Sequence, residues 1–115
     1  MQRDDMVCAR HILDAARKAM LFARNRTREE LDADEMLSLS LVRLMEIIGE
    51  AANGVSTDFR EKHPQIPWKK MIGLRNRLIH GYFDINLDIV WDTVVEDLPP
   101  LVSDLEKIIP REDAT

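Results

Sequence analysis

Residues 35–52, "EMLSLSLVRLMEIIGEAA", decide the fold. Stepped at about 100° per residue, Arg43, Glu46 and Glu50 fall together on one narrow face. Most of the remaining positions are Leu, Val, Met, Ile, Gly or Ala. That is a helix with far more than one apolar stripe, so it is expected to be covered by neighbours on several sides. A chain organised around such a helix needs other helices to cover it.

The flanking sequence supplies them. Upstream, Asp4 or Asp5 can cap a helix running to about Arg24, with Ile12, Leu13, Ala16, Met20 and Ala23 near one face. "RNRTREE" interrupts it, and Thr27 with Glu30 has the spacing of a capping box. The helix settles either there or after the "DADE" turn. Downstream, Ser56 or Thr57 can cap a short turn stopped by Pro64. Pro67 suits the first position of a helix from about Trp68 to Ile79, which Gly81 ends. A last helical run from about Asn86 to Ile109 contains Pro99-Pro100, which predicts a kink or two separate helices. The expected fold class is an all-α, up-and-down bundle of four to five helices.

Composition agrees. At 115 residues the chain fits one domain spanning 1–115, large enough to bury a core without staples. Leu, Ile, Ala, Met, Glu and Arg dominate, with only four glycines. The single cysteine, Cys8, rules out an internal disulfide and a cysteine-based zinc site, and suits a cytoplasmic location. The charged start shows no signal peptide, and no apolar run approaches the roughly 18 residues of a membrane span. Net charge is −5, yet residues 60–82 carry six cations against Glu61 alone. That local +5 leaves −10 for the remainder. A basic island on an acidic body favours a local phosphate-bearing ligand over broad duplex binding.

The island contains the chemistry. On the helix from Trp68, the residues Trp68, Met71, Ile72, Leu78 and Ile79 share one side, with Arg75 in their midst. Arg77 points away, beside Lys70, as a solvated charge. An unpaired charge on a buried face is very costly. Arg75 therefore either has a carboxylate partner, Glu46 or Glu50 among the candidates, or faces a cleft or subunit interface. Asn76 and His80 are four apart, hence neighbours on the helix. His80 lies in the last turn, where carbonyl dipoles favour its protonated form. Arginine, amide and a titratable histidine are sufficient parts for phosphodiester cleavage, and Tyr82 follows directly. His11 and His63 read as packing or surface groups, Trp68 and Trp91 as core anchors. No metal motif, Gly-rich phosphate loop or nucleophile motif is present.

"RNRLIHGY" fits the pattern R-x4-H-x-Y through Arg75, His80 and Tyr82, with Asn76 behind the arginine. With "IGEAANG", "PQIPWKKMIGLRNRLIHGYFDI" and "VWDTVVEDLPPLVSDLEKI", the chain resembles the HepT-like (DUF86) branch of the HEPN superfamily. The likeness is continuous from about Ile47 to Ile109 and looser before it. The resemblance implies a homodimer whose motif helices face each other, with further assembly when an antitoxin joins. It also implies a metal-independent endoribonuclease, the toxin of a type VII toxin–antitoxin pair, needing no cofactor and acting on RNA. Arg75 and His80 would be catalytic and Asn76 would assist. Tyr82 would be AMPylated by an MntA-type nucleotidyltransferase antitoxin. The alternative is a non-catalytic nucleotide- or substrate-binding partner subunit of a nucleotidyltransferase.

Overall fold

The structure is a computed structural model that describes residues 4–80 and 85–110, with His80 described by its backbone alone. Among these residues every regular element is helical. Helix α1 (Asp5–Ala23) starts at Asp4, whose side chain accepts from the Met6 N–H at 2.9 Å. Short α2 (Arg28–Ala33) follows Thr27, and Glu30 reaches back to the Thr27 N–H at 3.2 Å. Asp34 alone separates it from α3 (Glu35–Asn53) and caps that helix, accepting from Leu37 N–H at 3.2 Å. Both expected helix starts in this region are thus used, and a single residue separates the two helices. Arg26 donates to Glu30 and Asp34 together, and its guanidinium holds the Asp34 carboxyl below the usual carboxylate range.

Helix α3 is the centre of the bundle, lying between α1 and α5 (Trp68–His80), while α1 also packs on α7 (Leu98–Ile108). Two partners on different sides explain its wide apolar surface: Leu41, Met45, Ile48 and Ala52 are all buried. Coverage is incomplete, since Met36 and Leu39 on the same helix are 81% and 60% exposed. With α6 (Leu87–Asp92) running on into α7, four long helical runs carry the bundle, and α2 and α4 (Thr57–Lys62) are short connectors.

The connector into α5 is pinned at three points. Ser56 donates from N–H and Oγ to Asp5 at 2.8 and 2.6 Å, tying α4 to the start of α1. These two bonds hold the Asp5 carboxyl below its ordinary range. Arg60 donates to the Ala52 and Asn53 carbonyls at 3.1 and 3.3 Å, satisfying the open end of α3. Trp68 Nε1 donates to the His63 carbonyl at 3.0 Å, and the Phe59 ring meets His63 at a tilt and Trp68 edge-on. Trp68 and His63 are therefore structural, as expected. Pro67 is one residue earlier than expected: its carbonyl accepts from Met71 N–H at 3.1 Å, and the helix proper begins at Trp68.

The proline pair does not split the last run. A π-helical turn, Thr93–Asp97, joins α6 to α7. Pro99 and Pro100 cannot donate to the carbonyls four residues back, and their rings crowd them. Widening the preceding turn relieves both, with Leu98 N–H donating to the Thr93 carbonyl five residues behind. Val90, Val94, Leu98, Leu101 and Leu105 stay buried through the junction, whereas Val95 is exposed.

Candidate functional site

Helix α5 is held to α3 by an unusually close approach at one glycine. A Cβ added to Gly49 would sit 2.0 Å from Arg75 Cβ and 2.8 Å from the Met71 carbonyl oxygen. Only glycine leaves room there, so the stem of Arg75 lies directly on the α3 backbone. This contact aims Arg75 along the seam between the helices. Gly49 belongs to the site although its sequence signal was only a glycine inside a helix, which is ambiguous without the partner helix.

Arg75 is half-buried. Among the described residues no carboxylate lies within ion-pair range of it. Its Nη1 donates to Asn76 Oδ1 at 3.0 Å, and its Nε is buried without a hydrogen-bond partner. The intrachain ion pair considered for Arg75 is therefore not formed with Glu46 or Glu50. Arg43 on α3 faces both instead, at 3.5 and 4.0 Å. The absence of a carboxylate partner among the described residues favours a cleft or interface, and the neighbours agree with it. Ile72 is half-buried and Ile79, expected in the buried stripe, is 39% exposed. The stripe thus runs from core at Met71 and Leu78 to an uncovered edge at Ile79.

Asn76 and Arg77 are both exposed. Asn76 orients the guanidinium of Arg75, which leaves part of its donor fork available. His80 is the last residue of α5, one turn beyond Asn76 along the helix. Its side chain lies outside the described residues, as do Gly81 and Tyr82.

The basic island is smaller in space than in sequence. Arg60 is consumed as a cap on α3, and Lys70 pairs with Asp97 at 3.0 Å. Helix α5 contains no acidic residue. Beside it lies a groove of about 570 Å³ walled by Met45, Ile48, Met71, Leu74, Leu98 and Leu101. Lys70, Gly73 and Arg77 form its α5 rim, with Asp92 and Asp97 opposite. Sequence reasoning missed this groove, because its walls come from three separate helices. Among the described residues no group of three His, Cys, Asp or Glu could hold a metal ion, and no helix is long and apolar enough to cross a membrane.

Known proteins give the same direction. The family model described as "Ribonuclease HepT-like" matches residues 12–108. The chain is 39% identical over 105 residues to "Putative RNase MJ1380" of Methanocaldococcus jannaschii, covering 91% of this chain and 96% of that protein. It is 36% identical over 102 residues to "Putative RNase TTE0752" of Caldanaerobacter subterraneus subsp. tengcongensis, covering 89% and 91%. It is also 39% identical over 87 residues to "Probable ribonuclease HepT" of Thermococcus cleftensis, covering 76% and 79%. No solved structure gives a significant match. A family model matching residues 12–108, together with relatives 36–39% identical across most of their own length, places this chain in the HepT-like ribonuclease family of HEPN proteins.

Proposed function

We propose that the protein is the toxin of a toxin–antitoxin pair, a metal-independent endoribonuclease acting through Arg75, Asn76 and His80. The observation that carries this reading is Arg75, packed against Gly49, steered by Asn76 and free of any carboxylate among the described residues. A structural arginine would be neutralised within the fold, whereas one that receives a phosphoryl group must arrive without a partner. The 2′-hydroxyl of RNA attacks the adjacent phosphorus and the 5′-oxygen leaves, giving a 2′,3′-cyclic phosphate and a 5′-hydroxyl end. His80 moves the proton from attacking to leaving oxygen. Arg75 and Asn76 hold the charge that gathers on the non-bridging oxygens.

Purified protein incubated with RNA in EDTA should generate cyclic-phosphate ends. A strict divalent-metal requirement would overturn the mechanism, and complete inertness toward RNA would favour the nucleotidyltransferase-partner reading.

The working unit is a homodimer with α5 at the interface. Ile72, Arg75 and Ile79 occupy one edge of α5, where Ile79 is left 39% exposed. Two such edges brought together would cover the apolar residues and bring two copies of the motif face to face. Light scattering should return twice the 13.3 kDa of one chain. Ile79→Glu should convert it to a folded monomer, and a dimer unaffected by that change would move the interface elsewhere.

Control acts through Tyr82, two residues beyond His80. Its hydroxyl attacks the α-phosphorus of ATP on an MntA-type partner, forming Tyr–O–AMP and releasing pyrophosphate. The added phosphodiester charge then competes with RNA phosphate for the cations of α5. Tyr82→Phe should retain fold and cleavage but gain no AMP mass when incubated with partner and ATP. Equal modification and silencing of the Phe form would assign the switch to another residue.

A further inference from the structure

Resting on the ribonuclease reading, we infer that the exposed face of α5 carries the sugar–phosphate backbone of single-stranded RNA, with Lys69 and Arg77 as its phosphate contacts and Gly73 as its point of closest approach. Lys69, Gly73, Asn76 and Arg77 are all exposed. Their spacing of 4, 7 and 8 residues from Lys69 keeps them within a limited arc of the helix. Six of the sixteen Lys and Arg residues, Arg17, Arg26, Arg28, Arg43, Lys70 and Lys107, each have a carboxylate within 4.0 Å. Lys69 and Arg77 have none among the described residues. They stand on a helix without a single acidic residue, in a protein of net charge −5.

Gly73 marks where a ligand can approach. A Cβ built there meets no atom within 4 Å, so no packing inside the protein requires glycine at that point. In the interior of a helix glycine costs roughly 1 kcal/mol relative to alanine, and nothing in the fold offsets that cost. An unobstructed stretch of backbone between two cations that no carboxylate answers among the described residues suits a bulky, flat-lying polyanion.

The dimensions select the nucleic acid. Lys69 and Arg77 are about 12 Å apart along the axis at 1.5 Å rise per residue. Asp92 and Asp97, across the groove from Lys70 and Arg77, bound the lane on that side. A duplex brings phosphates over a broad surface and would meet these acids and the acidic body of the molecule. A single strand running lengthwise along α5 avoids them and reaches Asn76 and His80 at the helix end.

The experiment measures binding apart from cleavage. A 2′-O-methyl RNA oligonucleotide lacks the attacking hydroxyl and stays intact, so its affinity for the full chain can be followed by fluorescence anisotropy across a salt series. Lys69→Gln and Arg77→Gln should each make the slope of log K against log salt shallower by about 0.7, the value of one single-strand phosphate contact. Gly73→Glu should weaken binding at least about 10-fold by placing a carboxylate between the two phosphates, with an unchanged circular-dichroism spectrum as the check on folding. Lys107→Gln, which removes a cation already paired with Asp104 at 3.7 Å, should leave the slope unchanged. Unchanged slopes for the Lys69 and Arg77 variants, or an equal change for Lys107→Gln, would overturn the lane. The two readings fail separately. A wild type that cleaves RNA but binds independently of Lys69 and Arg77 refutes the lane alone. One that binds through them but never cleaves refutes the nuclease alone.

Discussion

Arg75→Lys should lower RNA cleavage by about two orders of magnitude, the usual loss when one donor to a developing oxyanion is removed. Lysine keeps the charge but not the planar fork that grips two phosphoryl oxygens while still donating to Asn76. Stability should not fall with activity. The buried Nε of Arg75 has no hydrogen-bond partner, a situation that costs about 1–3 kcal/mol. Lysine places a methylene near that point and Arg75→Met removes the charge as well, so urea midpoints of both variants should equal or exceed wild type. His80→Ala should lose about 100- to 10,000-fold in cleavage, the range for a general acid–base group. Undiminished cleavage by either activity variant would remove that residue from the mechanism. A sharply destabilised Arg75→Met would show that the arginine serves the fold instead.

Gly49→Ala should destabilise the protein, although the same substitution usually favours a helix. The new Cβ would lie 2.0 Å from Arg75 Cβ and 2.8 Å from the Met71 carbonyl oxygen, atoms fixed to the α5 backbone rather than at the end of a flexible side chain. Helix α5 must therefore move as a unit. Overpacking of this kind costs about 1–3 kcal/mol, against a helix-propensity gain of roughly 1 kcal/mol. The contact involves backbone, so a net loss of about 2 kcal/mol is expected. Cleavage should fall further than the unfolded fraction explains, because Arg75 moves with the helix. Gly73→Ala is the internal control: with no atom within 4 Å it should gain up to about 1 kcal/mol. Equal effects at the two glycines would mean that α3 and α5 are not in tight contact.

The local signals were legible because they depend on neighbours in sequence. Asp4, Thr27 with Glu30, and Ser56 all mark helix starts where they were expected. The apolar breadth of residues 35–52 correctly placed that helix between partners. Pro99-Pro100 announced a disturbance but not its form, since a kink, a break and a π-helical turn all satisfy two missing N–H groups. The π-helical turn wins because it keeps Val94, Leu98 and Leu101 in the core. Ile79 was misplaced for a related reason: hydrophobicity reports the preference of a side chain, not whether the fold supplies a surface to cover it.

Sequence alone determined the helical class, the family pattern across Arg75, Asn76, His80 and Tyr82, and the presence of a basic island in an acidic chain. These rest on composition, short-range periodicity and residue spacing, which survive without knowledge of any distant contact. Only the tertiary structure decided which cations are spent. Arg60 goes to the end of α3, Lys70 to Asp97, and Glu46 and Glu50 to Arg43, leaving Arg75 without a carboxylate among the described residues. Such pairings turn on side-chain geometry and ångström-scale approach rather than on spacing alone, as at Gly49, where a missing side chain on one helix sets the position of an arginine on another.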